Sequence, residues 1–175
     1  MALWRIMYDG RQTECCGEPF PVGDDVRWRL TLRGPDEGAA PETWQDSYSA
    51  LEPVGGGLAG GPGVIALRAG EPPARPVGLL AVATHGPGPD DVPETVGTVR
   101  SLQVVAEGYA ATRAGGRTYE PVPGERLLRA VGTCSERFGE TAEPDRAGRA
   151  RRCRGAGVLV GLGTPGGPAA ARLGQ

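Results

Sequence analysis

Residues 26–33 read Val-Arg-Trp-Arg-Leu-Thr-Leu-Arg, so that Val26, Trp28, Leu30 and Leu32 alternate with Arg27, Arg29, Thr31 and Arg33. A period of two over such a run is a strand with one face on a core and the other facing solvent or a ligand. Arginines on the open face keep their charge in water, which suits a half-exposed antiparallel sheet.

Other strands follow from shorter signals. Residues 3–8 are aromatic and apolar and end at Asp9-Gly10, a turn signal. Residues 77–84 are continuously apolar, as in a central strand buried on both faces. Within residues 96–107, Val99, Leu102, Val104 and Val105 keep no single alternation, which calls for a bulge near Ser101. Residues 64–67, 117–122, 127–134 and 156–162 are further strand candidates, the middle two separated by Pro123-Gly124. A short helix is expected over 42–51, opened by Pro41 with Trp44, Tyr48 and Leu51 on one face. A second, basic one is expected over 143–153.

Between these runs lie many of the 30 glycines and 17 prolines, in segments that cannot bury enough surface to order themselves. The fold class is therefore all-β or β-dominated, an antiparallel barrel-like or sandwich arrangement in one domain with long Gly/Pro-rich loops. The domain is expected over residues 1–162, with 34–63, 68–76 and 86–95 as loops and 163–175 as a disordered tail. Its core is drawn from Trp4, Ile6, Val26, Trp28, Leu30, Leu79, Val82, Leu102, Val104, Leu128 and Val131.

Charge narrows the partners. The formal net charge is −2, and all 19 basic residues are arginine. Such near-neutrality argues against bulk attraction to nucleic acid or anionic membrane. Arginines 146, 149, 151, 152 and 154 form a basic cluster, but Glu136, Glu140, Glu143 and Asp145 precede it and compensate it locally. No apolar run approaches the length of a membrane span or a signal peptide. A cytosolic, reducing setting is expected, with the four cysteines as thiols or metal ligands.

Chemistry centres on few residues. Cys15 and Cys16, with Cys134 or Cys153 and the single histidine, His85, are a candidate zinc set. Spacing opposes it, since adjacent residues in extended backbone point to opposite faces and structural zinc sites prefer C-x₂₋₄-C pairs. Buried thiols packing as small hydrophobes, a vicinal disulfide, and a Cys–His nucleophile oriented by Asp24 or Asp25 are the alternatives. The runs Gly55-Gly56-Gly57 and Gly60-Gly61-Pro62-Gly63 neither follow a confident strand nor open a helix, so they read as loops rather than phosphate cradles.

The string Glu14-Cys15-Cys16-Gly17-x-Pro19-Phe20-x-Val22-Gly23-Asp24-x-Val26-x-Trp28, preceded by Leu3-Trp4-Arg5, carries a resemblance. So do His85-Gly86, Pro93-Glu94-Thr95 and Val99-Arg100. The chain resembles an uncharacterised actinobacterial family of small proteins with a domain of unknown function. That resemblance implies no activity, cofactor or catalytic residue. The expected function is a non-enzymatic binding or interaction module, contacting an acidic protein partner through Arg27, Arg29 and Arg33. The alternative is a zinc- or thiol-dependent protein built on Cys15, Cys16 and His85, and no further cofactor is expected.

Overall fold

The computed structural model describes residues 1–34, 42–68, 75–83, 92–135, 137–138, 140–144 and 150–166. The chain opens with β1 (Ala2–Asp9) and a two-turn helix, α1 (Gly10–Cys16). It continues through β2 (Phe20–Pro21), β3 (Asp25–Trp28) and β4 (Leu30–Arg33). A 3₁₀ helix at Glu42–Ser47 precedes β5 (Ser49–Ala50), β6 (Glu52–Gly55), β7 (Leu58–Gly61), β8 (Val64–Arg68) and β9 (Val77–Val82). The second half consists of long strands: β10 (Thr95–Ala111), β11 (Tyr119–Val131), β12 (Thr133–Cys134), β13 (Glu140–Pro144) and β14 (Ala150–Thr164).

Twelve of these strands form one sheet, along the path β11-β10-β14-β1-β9-β4-β8-β7-β6, while β2 and β12 form a small second one. Most ladders are antiparallel, but β1 with β9 and β4 with β8 are parallel. The segment 25–33 turns the sheet back on itself, because β3 pairs with β10 whereas β4 pairs with β9. The result is barrel-like without being a closed barrel.

Alternation along the strands yields two clusters. Ile6, Tyr8, Leu30, Leu32, Leu80, Val82, Val158, Val160 and Leu162 point to the inside. Met7, Leu79, Ala81, Val105 and Leu159 point the other way, where Trp44 of the 3₁₀ helix and Tyr48 just after it cover them. Both faces of the central strands are thus buried, which explains why 77–82 is continuously apolar. All eleven expected core residues lie in these clusters or pack against them. The irregular pattern in β10 is a bulge, with register shifting against β14 between Val99 and Ser101.

Several expectations are corrected. Asp9-Gly10 leads into α1 rather than a tight turn. The segment expected as a helix at 143–153 contributes instead to β13 and β14, which pair with each other. Their register sets Arg154 opposite Glu140 and Arg151 opposite Glu143. Pro123-Gly124 does not divide two strands, because β11 runs through it. Residues 122–125 are taken up where the register shifts opposite Gly108.

The loop expected over 34–63 holds the 3₁₀ helix, β5, β6 and β7. β6 and β7 form a hairpin turned by Gly55, Gly56 and Gly57, at φ of 91°, 62° and 77°. Those are left-handed conformations that glycine adopts without penalty. β14 ends at Thr164 and so extends into the start of the expected tail. Parts of the expected loops at 68–76 and 86–95, and tail residues 167–175, lie outside the described residues.

Candidate functional site

The arginine face of residues 27–33 is divided by the change of sheet partner. Arg27 in β3 is exposed, and Arg29 stands between β3 and β4, exposed as well. The carbonyl of Arg29 accepts a hydrogen bond from the amide of Ala83 at 2.9 Å. Arg33 is partly buried and is committed to Asp9, with Nη2 donating to Oδ2 at 2.7 Å. Arg27 and Arg29 are exposed whereas Arg33 is partly buried, so the three side chains stand in different surroundings.

The cysteines are dispersed among elements. Cys15, the penultimate residue of α1, is exposed and disulfide-bonded, a state in which its sulfur is not an anionic ligand. This departs from the expectation that the four cysteines are thiols or metal ligands. Cys134 and Cys153 are free, the first buried in β12 and the second partly buried in β14. His85 and the side chain of Cys16 lie outside the described residues. Among the described residues, no group of three or more His, Cys, Asp or Glu side chains is arranged to hold a metal. No helix among them is long and apolar enough to cross a membrane.

Part of the cysteine motif explains packing. Phe20 stacks on Tyr8 at 5.9 Å, and Trp28 meets both edge-on at 5.5 and 5.4 Å. Such arrangements suit the ring quadrupoles. Gly17 lies close beneath the Tyr8 hydroxyl, where a β-carbon would stand 3.1 Å from it. Burial pushes the Cys134 thiol up to about 11, and burial, then the neighbouring Cys134, raises the Tyr8 phenol. Both groups are thereby held neutral, as core residues are.

A cleft of about 470 Å³ opens elsewhere, between α1 and the β10–β14 ladder. Arg11, Gln12 and Glu14 form the α1 wall, while Glu107 and Tyr109 of β10 and Arg154 of β14 form the other. Two local features create it. α1 turns off the end of β1 at Gly10, where a β-carbon would come within 3.2 Å of the Ala156 carbonyl. A register shift between Val105 and Ala106 leaves Ala156 as the extra residue of β14, bending that strand beside α1.

Charges of both signs meet there. Among the described residues, Arg11, Glu14 and Arg154 make no ion pair, and Glu107 accepts only a long 3.5 Å hydrogen bond from the Tyr109 hydroxyl. The side-chain oxygen of Gln12, Oε1, is buried with no donor. A buried acceptor left open costs about 1–3 kcal/mol. Sequence placed Glu14 in the cysteine motif and Arg154 in the basic cluster, and none of the six in a cleft. The signal was faint, because seven residues of helix after an Asp-Gly pair look like a turn, and because the two walls are about a hundred residues apart in the chain.

No curated protein and no solved structure matches the chain. Residues 2–164, which run from the first residue of β1 to the last of β14, match the model described as a family of unknown function (DUF6578), and the chain belongs to that family.

Proposed function

We propose that this chain is a non-enzymatic binding module, with its ligand seated in the cleft between α1 and the β10–β14 ladder. The observation that carries this reading is a 470 Å³ cleft whose lining side chains Arg11, Glu14 and Arg154 make no ion pair among the described residues. That volume falls within the range of small-ligand sites, about 300–1,000 Å³. The described lining combines charged, amide and phenol groups, which suit recognition of a polar ligand. We place the seat here rather than on the arginine face because Arg33 is already committed to Asp9 and Arg29 is not without a partner.

The test is a ligand-observed NMR screen of polar small molecules against the full chain and a Gln12→Trp variant that fills the cleft. Hits that bind the wild type and are lost in the folded variant support the seat. Hits that bind both equally, or no hit at millimolar concentration, overturn it.

A further inference from the structure

Independently of the cleft, we propose that the chain pairs with a second copy of itself along the free edge of β11. The two β11 strands run antiparallel about a twofold axis at Leu127. β11 is the last strand on the sheet path, and among the described residues it pairs with β10 alone. Its other edge presents backbone N–H and C=O groups that another strand can match. Proteins blunt such edges with proline, bulges or charge. In β11 proline and bulge fall in the first half, at Pro121, Pro123 and the register shift opposite Gly108. Residues 125–131 contain no proline, and residues 126–131 keep an unbroken register with β10. Within them Leu127 is 62% exposed. An apolar side chain exposed on a regular open edge is the template for pairing with another chain.

Charge selects both the occupant and the register. Arg126 is turned onto Trp44 and Asp46 of the 3₁₀ helix, so it does not guard the edge. Arg129 is exposed and makes no ion pair among the described residues. A twofold axis normal to the sheet keeps each face on its own side, so facing residues are both odd or both even in number and the axis falls on a residue. An axis at Arg126 or Arg129 sets like charges directly opposite, which destabilises the pair. At Leu128 it sets exposed Leu127 against Arg129 of the second copy. At Leu127 it sets that leucine against itself and Arg129 against Glu125, in two equivalent pairs. Glu125 accepts a hydrogen bond from Arg151 through Oε1, which leaves Oε2 as the acceptor for the second arginine. Backbone hydrogen bonds supply the affinity and these side chains the register, as in other strand additions to a sheet edge.

The experiment is sedimentation velocity on the full chain under reducing conditions, from about 1 to 200 μM. The expected result is a monomer–dimer equilibrium that moves toward dimer as concentration rises. Arg129→Glu places an acid against Glu125 of the second copy and is expected to weaken the dimer by about tenfold or more. Leu127→Cys reads the register. On the axis its thiol faces its own copy, with Cα atoms about 4.5–5.5 Å apart, a separation that a disulfide spans. Oxidation in air is expected to give a covalent dimer on a non-reducing gel from Leu127→Cys, and none from the wild type or from Ala130→Cys on the same strand. A monomer at every concentration, or a dimer that Arg129→Glu leaves at full strength, overturns the proposal. A covalent dimer formed equally by Ala130→Cys also overturns it, since the contact then has another register. The two cysteine variants are read on the same gel, so the register is decided even if Arg129→Glu fails to fold.

Discussion

Cys134 illustrates how a single side chain is read differently by composition and by place. Its neighbours in sequence, Thr133 and Ser135, are polar, yet β12 pairs with β2 and carries it into the interior beside Tyr8, at 1% exposure. The expectation of a buried thiol that packs as a small hydrophobe holds at this position, whereas Cys15 sits on the surface in a disulfide. With the thiol pushed up to about 11 by burial, native Cys134 has about a hundredth of the thiolate of an ordinary cysteine near 9. Alkylation by iodoacetamide at pH 8 is therefore expected to be at least about 100-fold slower in the native chain than in urea, as mass spectrometry of the Cys134 peptide would report. The linked effect on stability has a definite sign. The folded state holds this group above its unfolded value, so its contribution is complete below about pH 9 and is lost as pH rises through about 11. Tyr8 is shifted in the same direction. Urea midpoints should fall between pH 9 and 11, and Cys134→Ala should reduce that fall without abolishing it. An unchanged slope in the variant would show that Cys134 is not the source.

Elements were legible where one physical pattern dominated. The alternation in residues 26–33 and the apolar run at 77–82 identified strands, and the broken alternation after Val99 identified a bulge. Legibility failed where pairing overrode local composition. Arg-rich residues 150–154 have no helical obligation once β10 and β13 offer hydrogen bonds on both edges of β14. The 3₁₀ segment was anticipated as a helix, but not its role as a cover for the outer face of the sheet. Trp44 supplies the apolar contact, with Arg126 stacked over its ring at 4.3 Å. Arg126 Nη2 also donates to both carboxylate oxygens of Asp46, at 2.9 and 3.1 Å. That hydrogen bond holds the Asp46 carboxyl below its usual range. Asp46 is 59% exposed, so the ion pair itself contributes no more than about 1 kcal/mol. Arg126→Ala removes the pair and the cation–π contact together and is expected to cost about 1–2 kcal/mol. Asp46→Asn should cost about 1 kcal/mol or less. The contribution of a lowered carboxyl is present above its unfolded value and lost as pH falls through the folded one. Wild type and Asp46→Asn should therefore converge in urea stability below pH 4. Divergence there would place the stabilisation elsewhere.

At the scale of the whole molecule, β-dominance was readable but the order of strands was not, because register depends on partners distant in sequence. β1 lies between β14 and β9, so residues 2–9 pair with residues 157–164 on one edge and with Leu80 and Ala81 on the other. The cleft shares this origin, since α1 follows β1 and its opposite wall is formed by β10 and β14. Nothing local to either wall announces the other. The same arrangement makes β14 the element on which the others depend. It pairs with β1, β10 and β13, and it buries Val158, Leu159, Val160 and Leu162 between the two clusters. At about 1.5–3 kcal/mol for each buried side chain, these four match the whole net stability of a typical domain, about 5–15 kcal/mol. A chain ending at residue 149 retains β1 to β13 but loses this strand, and with it the neighbour that joins β1 to β10. It is expected to show no cooperative urea transition and a collapsed amide spectrum. Adding a peptide of residues 150–166 should restore both, since the missing strand is a continuous segment at the end of the described fold. A cooperative transition in the truncated chain alone would mean that β1, β9 and β4 form an independent core, and that the cleft is assembled on a scaffold already folded without it.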